Sequence, residues 1–215
     1  MSSRVQSGAA MQWTVPNILT VLRLAAAPGV ALAFAIFPRP YADWIAFALF
    51  ILAALTDYVD GKIARAWQQE SNFGRMLDPI ADKAMVVIAL AVIVGLWGMK
   101  ALLLVPVAFI LLREIFVSGL REFLGSKAGK LQVTHLAKWK TTAQMVAIPV
   151  LLLAGVFDYD RRHNTPWVSD WFHDWAAWLL ANGGLVLIWA AGLLTLMTGY
   201  DYLVKAMPFL RDRKR

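Results

Sequence analysis

Apolar residues in this chain fall into six long runs, which are separated by short segments rich in polar and charged residues. The runs cover residues 18–37, 44–67, 79–97, 101–120, 141–157 and 178–196. A helix of about 20 apolar residues spans the hydrocarbon core of a bilayer. The pattern therefore predicts an all-α integral membrane protein with six transmembrane helices.

The composition supports a membrane protein with one domain. Hydrophobic residues make up 60% of the 215 positions and charged residues 16%, whereas soluble domains are nearer half apolar and a quarter charged. Six spans leave little chain for a second module, so residues 1–215 are treated as a single membrane domain. Residues 1–16 fit either a short amphipathic segment at the membrane interface or a disordered tail. The chain has no cysteine, which excludes disulfides and thiolate chemistry.

Positive charge predicts how the spans are oriented. The formal net charge is +7, and the basic residues lie beside the apolar runs, where topology and anionic lipid explain them better than nucleic acid does. No nucleic-acid recognition motif accompanies them. Lys and Arg are frequent in segments 62–75, 121–140 and 205–215. Because cytoplasmic connections carry the excess of Lys and Arg, both termini are predicted to be cytoplasmic.

Segment 158–174 is predicted to be a solvated loop on the opposite side of the membrane, since it offsets two arginines with four aspartates. Indole rings at the spacing found here fit an interfacial aromatic belt, and they belong to Trp167, Trp171, Trp175 and Trp178. A metal site that uses His163 and His173 is the less favoured interpretation, because no tighter ligand pattern surrounds them.

Most of the candidate chemistry lies between Asp57 and Asp82, where the sequence reads DYVDGKIARAWQQESNFGRMLDPIAD. Asp57 and Asp60 are three residues apart and share one face of a helix. Gly74, Asp78 and Asp82 are each four apart and share a face of the next helix, or of the turn before it. The proline that follows Asp78 is compatible with a helix that starts at Asp78. Two helices, each offering two carboxylates, can then face one another.

Four converging carboxylates are costly near a membrane unless they are paired or liganded. Divalent cations would remove that cost, and a ligand set made only of oxygens favours Mg²⁺, Mn²⁺ or Ca²⁺ over zinc. Two such ions could clamp a diphosphate and its leaving group. Small residues at Gly61, Ala64 and Gly74 would let a nucleotide approach the backbone. The alternative for any single aspartate is an ordinary ion pair at a helix end, with partners among Lys62, Arg65, Arg75 and Lys83.

The spacing resembles that of the CDP-alcohol phosphotransferase family, which has Asp, two residues, Asp-Gly, two residues, Ala-Arg, eight residues, Gly, three residues, Asp, three residues and Asp. The matching positions are Asp57, Asp60, Gly61, Ala64, Arg65, Gly74, Asp78 and Asp82. The resemblance implies a six-helix membrane fold and attack of an alcohol on a CDP-linked lipid, with release of CMP. It implies two divalent metals, Mg²⁺ or Mn²⁺, held by Asp57, Asp60, Asp78 and Asp82, with Asp82 also acting as the base. It also implies nucleotide contacts from Gly61, Arg65 and Gly74.

Within that family the chain is most similar to phosphatidylglycerophosphate synthases. The similar pieces are VPNILTVLRL (15–24), ALTDYVDGKIAR (54–65), NFGRMLDPIADK (72–83), REIFVSGLREF (113–123) and KWKTTAQMVAI (138–148). This resemblance implies transfer of the phosphatidyl group from CDP-diacylglycerol to sn-glycerol 3-phosphate in the bacterial inner (cytoplasmic) membrane, with the active site facing the cytoplasm. The acceptor is a dianion, so its pocket should be basic, and the candidate residues are Arg113, Arg121, Lys138 and Lys140.

Other functions stay open at this level. Sibling enzymes use serine or inositol phosphate as the acceptor, and the four basic candidates could instead serve topology or contact anionic lipid. An ion-coupled transporter could also place carboxylates in the membrane, although no matching broken helix occurs in a second half of the chain. Gly125 and Gly129 form a GxxxG pattern, but in a polar segment, so a homodimer is neither required nor excluded.

Overall fold

The computed structural model describes residues 14–66, 71–125, 135–163 and 170–210. Within these ranges the chain forms six α-helices and no strand. They are α1 (Val15–Ile36), α2 (Tyr41–Ala66), α3 (Asn72–Trp97), α4 (Ala101–Leu124), α5 (His135–His163) and α6 (Asp170–Leu210). Each contains a segment long and apolar enough to cross a membrane, so the six-helix prediction is confirmed.

The helices form a bundle in which α1 packs against α2 and α3, while α5 packs against α6, α2 and α3, and α4 packs mainly against α6. The core where they meet contains Phe50, Leu90, Ile93, Ile110, Ile148, Leu151 and Ile188, which are all essentially inaccessible to solvent. Other large apolar side chains, such as Leu22, Leu52, Leu112 and Val186, are more than half exposed. An exposed apolar face of this kind suits contact with lipid tails, because the bilayer core solvates apolar groups.

Helix α3 begins earlier than the sequence pattern suggested. The expectation of a helix start at Asp78 is wrong, because Ser71 caps a helix that already begins at Asn72. The Ser71 hydroxyl oxygen accepts the Gly74 N–H at 2.9 Å, which satisfies one of the first free backbone donors. Pro79 therefore lies inside α3, a position that membrane helices tolerate when neighbouring groups satisfy the freed backbone. The predicted shared face of residues 74, 78 and 82 is retained on this longer helix.

The segment predicted as the loop 158–174 is helical wherever the structure describes it. Helix α5 continues to His163 and α6 begins at Asp170. Arg161 and Arg162 both pair with Asp158 at 2.9 Å, and such pairs three and four residues apart stabilise a last helical turn.

The described tryptophans of the predicted aromatic belt are well exposed, namely Trp171, Trp175 and Trp178; Trp167 lies outside the described residues. The His163 ring stacks on Tyr159, and the His173 side chain is not described.

The end of α4 and the contacts between neighbouring helices define one end of the bundle. Gly125 ends α4 with φ of 50° and donates its N–H to the carbonyls of Arg121 and Glu122, so its backbone conformation alone accounts for a glycine there. Hydrogen bonds join the first half of α1 to the end of α2 and the first half of α3, and the ends of α4 and α6 to each other. A cavity lined by α3, α4 and α5 places these segments at one end of the bundle. The predicted functional residues lie at this end.

Helices α1 and α3 lie close together at Gly74, so a substitution there tests how tightly the two helices pack. A Cβ at Gly74 would lie 2.8 Å from Asn17 Oδ1, so we expect Gly74→Ala to lower the free energy of unfolding by about 1–3 kcal/mol. Gly95 on the same helix has nothing within 4 Å of a Cβ, so Gly95→Ala should be neutral or slightly stabilising. Thermal unfolding in detergent measures both. Equal melting temperatures for the two variants would contradict the close contact, as would an equal cost of Gly74→Ala in an Asn17→Ala background.

Candidate active site

Arg23 forms hydrogen bonds with three of the predicted aspartates where α1, α2 and α3 meet. The side chain of Arg23, on α1, is only 2% exposed. Its guanidinium donates hydrogen bonds to Asp57 of α2 and, at 2.8 and 3.3 Å, to Asp82 and Asp78 of α3. The structure thus brings together three of the four predicted aspartates. Their side chains are 43%, 45% and 49% exposed in the same order, so each carboxylate has one side on Arg23 and another side accessible from outside.

A set of hydrogen bonds between α1 and α3 positions these carboxylates. The Thr20 hydroxyl donates to Asp78 Oδ1 at 2.7 Å. One turn earlier, Asn17 Oδ1 accepts a hydrogen bond from the Ser71 hydroxyl at 2.7 Å. Thr20 and Asn17 are both buried. Since both bonds join α1 to the first half of α3, the placement of α1 determines where the Asp78 carboxylate lies.

The donor set at Arg23 suits a hard divalent cation in its chemistry. Three carboxylates against one guanidinium leave a formal charge of −2, and carboxylate oxygens are the ligands that Mg²⁺ and Mn²⁺ prefer. Among the side chains that the structure describes, no three acidic, histidine or cysteine groups are arranged to hold a metal ion. Arg23 lies between the carboxylates instead. A divalent ion would therefore have to bind through the accessible sides of these carboxylates or replace contacts that Arg23 makes.

Several predicted residues receive only a partial description. The side chains of Asp60, Arg65 and Lys138 lie outside the described part of the structure, although all three positions are on helices α2 and α5. Gly61 is half-buried on α2. Gly74 is buried against Asn17, so close helix packing is one reason for a glycine there. The nucleotide contacts of Gly61, Arg65 and Gly74 stay predictions.

A cavity of about 350 Å³ adjoins Asp57, Asp78 and Asp82, which together form the acidic cluster. Its lining joins Asp78 and Asp82 to three of the four predicted acceptor residues, Arg113, Arg121 and Lys140. These come from α3, α4 and α5, so the cavity forms only when the three helices pack together. The carboxylates and the basic residues therefore line one space, which can hold a reacting group and an anionic substituent at the same time.

Charges inside this cavity are partly paired already. Glu114 accepts hydrogen bonds from Lys140 and, at 3.2 Å, from Arg113 Nη1, and both Glu114 and Lys140 are largely buried. Arg121 has no carboxylate partner among the residues described, and its Nη2 donates to the hydroxyl of Tyr202 at 2.7 Å. Arg121 and Lys83, which donates to the Ser118 hydroxyl, are thus the two cations of the cavity without a carboxylate partner among the described residues.

Two buried donors in the cavity have no hydrogen-bond partner within the described ranges. They are Nε of Arg113 and Nε2 of Gln144, and both residues line the cavity. A buried donor without a partner costs about 1–3 kcal/mol, so such groups usually have an unseen partner such as water or a ligand. Two such donors in a cavity lined by four cationic side chains suit an oxygen-rich anion, and a phosphate group is one.

Sequence reasoning named the aspartates but missed their partner, Arg23. The signal was present, since a single arginine within an apolar span faces the interior of a bundle by default and marks a functional site. Glu114 and Gln144 were also missed, because their spacing forms no motif and their roles depend on contacts between helices. Lys83 donates to Ser118 of α4, and within the described ranges it forms none of the ion pairs that the alternative interpretation predicted.

Known proteins resemble this chain over nearly its whole length. The family model described as CDP-alcohol phosphatidyltransferase matches residues 13–197. A protein of Cereibacter sphaeroides named CDP-diacylglycerol–glycerol-3-phosphate 3-phosphatidyltransferase is 56% identical over 95% of this chain and 100% of its own length. Proteins of the same name from Rickettsia bellii and Escherichia coli are 39% and 35% identical, over 87% and 94% of this chain and 92% and 100% of their own. The matched span includes the acidic cluster and the adjoining cavity.

Proposed function

Because this chain belongs to the CDP-alcohol phosphatidyltransferase family, we propose that it transfers the phosphatidyl group of CDP-diacylglycerol to sn-glycerol 3-phosphate. The products are phosphatidylglycerophosphate and CMP, and the reaction is a step of phospholipid biosynthesis. The names of the similar proteins support this reaction. The observation that carries it is the cavity shared by Asp78, Asp82, Arg113, Arg121 and Lys140.

The basic side of the cavity favours an acceptor that carries a phosphate. Arg121 has no carboxylate partner among the described residues, and donors on Arg113 and Gln144 lack partners there. A phosphate dianion would accept hydrogen bonds from all three groups, and arginine recognises it through two parallel bonds. Serine has no phosphate and would leave these donors unsatisfied. Inositol phosphate also carries a phosphate, so of the acceptors used by sibling enzymes it would fit this cavity better than serine.

Four aspartates in and beside the cavity would provide the base and the metal ligands of the proposed reaction. Asp57, Asp60, Asp78 and Asp82 would hold two divalent cations, Mg²⁺ or Mn²⁺, which supply charge stabilisation at the diphosphate when they are bound. Asp82 contacts Arg23 and also lines the cavity, so its carboxylate can accept the proton of the acceptor hydroxyl. That oxygen then bonds to the phosphorus of the phosphatidyl group, the bond from this phosphorus to the bridging oxygen breaks, and CMP leaves.

The orientation of the protein belongs to the same proposal. Cytoplasmic termini, predicted from the distribution of Lys and Arg, would place the acidic cluster at the cytoplasmic face of the bacterial inner membrane. Soluble sn-glycerol 3-phosphate could then reach the cavity from the cytoplasm, while CDP-diacylglycerol reaches it from the lipid. The six helices suit this arrangement because an even number of crossings returns the chain to its starting side.

We expect release of CMP to require a divalent metal ion. Chelation with EDTA should abolish release of CMP by the purified protein, and Mg²⁺ or Mn²⁺ should restore it. Asp57→Asn should lose most activity even at saturating metal, since an amide cannot balance a dication. Asp201→Asn is a matched control, because Asp201 pairs only with nearby Lys205 among the described residues and should keep normal activity. Full turnover in excess chelator, after removal of tightly bound metal, would rule out the metal proposal.

The acceptor site generates a second expectation. Arg121→Ala should raise the KM for sn-glycerol 3-phosphate about tenfold to a hundredfold, since one charge-assisted phosphate contact is lost. The KM for CDP-diacylglycerol should change little. Tyr202→Phe removes the partner of Arg121 but leaves its charge, so it should shift the acceptor KM only slightly. An equal rise for both substrates in Arg121→Ala, or an equal effect of Tyr202→Phe, would show that Arg121 supports the fold instead of the acceptor.

A further inference from the structure

A second cavity lies at the end of the bundle away from the acidic cluster. It has a volume of about 290 Å³ and is bounded by the end of α3, the end of α5 and the start of α6. Its lining includes Trp97, Lys100, Arg162, Asp158 and Trp178. On α3, 15 residues separate Asp82 from Trp97, which corresponds to about 22 Å along a helix axis. This cavity is therefore distinct from the site where the proposed transfer takes place.

Most of the charge around this cavity is compensated within the protein. Arg39 forms two hydrogen bonds of 2.7 Å to Asp43 and a third of 2.8 Å to the carbonyl of Gly155. Arg161 and Arg162 share Asp158. These pairs fix the positions of the cations and reduce their combined charge, so they form a rigid rim and do not by themselves bind an anion strongly.

Two hydrogen-bond donors that line the cavity are not accounted for by these pairs. Lys100 has no carboxylate partner among the described residues, although it lines the cavity. The indole N–H of Trp97 is buried and has no hydrogen-bond partner within the described ranges. Both residues lie at the connection between α3 and α4, so an ammonium and an indole donor stand close together in the chain. A group that accepts from both would be anionic and rich in oxygen.

An apolar cavity of about 220 Å³ continues from the first one. The two cavities share Trp97, Lys100, Ala181 and Asn182. The remaining lining of the apolar cavity is aliphatic and consists of Leu102, Leu103, Leu151 and Leu185. A cavity that carries the ammonium group of Lys100 and adjoins an aliphatic groove matches a molecule with an anionic head and a hydrocarbon chain.

We propose that these joined cavities bind an anionic glycerophospholipid from the leaflet opposite the acidic cluster. The phosphate of its headgroup accepts from Lys100 and from the indole N–H of Trp97, and one acyl chain lies along the leucines of the groove. Basic pockets between transmembrane helices bind anionic headgroups in this way. Exposed tryptophans at the start of α6, Trp171, Trp175 and Trp178, place this end of the bundle at headgroup depth, where indole rings concentrate.

Site-specific labelling by lipid tests the proposal without any assay of transfer. The purified full-length chain is placed in nanodiscs that contain phosphatidylglycerol with a photoreactive diazirine in one acyl chain. Illumination should label peptides that contain residues 102–103 and 181–185, and phosphatidylcholine with the same chains should label them far less. Lys100→Ala should reduce this labelling about tenfold at subsaturating lipid, and Trp97→Phe, which keeps an aromatic ring, about threefold.

Controls separate recognition of lipid from loss of fold and from general charge. Lys100→Arg should keep most of the labelling, since it keeps the charge. Lys205→Ala removes a lysine at the other end of α6 and should leave labelling unchanged. The proposal is overturned if phosphatidylcholine labels these peptides equally or if Lys100→Ala labels like the wild type. It is also overturned if soluble glycerol phosphate competes as well as unlabelled phosphatidylglycerol, since the cavity would then be a site for a free anion.

Discussion

Arg23 is buried inside the bundle, where three carboxylates from two other helices balance its charge. A guanidinium inside a membrane bundle is costly unless carboxylates surround it, and a carboxylate there is costly unless it is paired. Each of these costs is removed only when α1, α2 and α3 meet, because the arginine and its partners come from three helices. The same contact sets the position of Asp82, which links the acidic cluster to the cavity beside it. Fold and proposed chemistry therefore share one polar contact.

The two ends of the bundle use their polar groups differently. At the end that holds the acidic cluster, carboxylates outnumber the arginine that they contact, and the neighbouring cavity has donors without partners in the part of the chain that the structure describes. Such an arrangement has excess charge of both signs and suits two charged substrates and metal ions. At the other end most ions are paired within the protein, whereas Lys100 has no carboxylate partner and the buried indole N–H of Trp97 no hydrogen-bond partner among the described residues. That arrangement suits a single anionic headgroup and explains why the two cavities need not compete for ligands.

Much of the fold followed from the sequence, because long apolar runs have few alternatives in a membrane. Helix ends did not follow, since they depend on single side chains: Ser71 moves the start of α3 to Asn72, and Asp158 extends α5 through its two arginines. The aspartates were found because a spacing of three or four residues is visible in one dimension. Arg23 was overlooked because its partners lie 34 to 59 residues away. Unsatisfied donors such as Nε2 of Gln144 can be recognised only once the helices are packed.

The product lipid shows which acceptor the protein uses. Purified protein, Mg²⁺ and CDP-diacylglycerol are incubated with sn-glycerol 3-phosphate, serine and inositol phosphate at equal concentrations, and product lipids and CMP are quantified by mass spectrometry. A cavity with a carboxylate base on one side and donors for phosphate on the other predicts phosphatidylglycerophosphate as the main product, in an amount equal to the CMP released. Phosphatidylserine or phosphatidylinositol phosphate as the main product would contradict this account of the acceptor site.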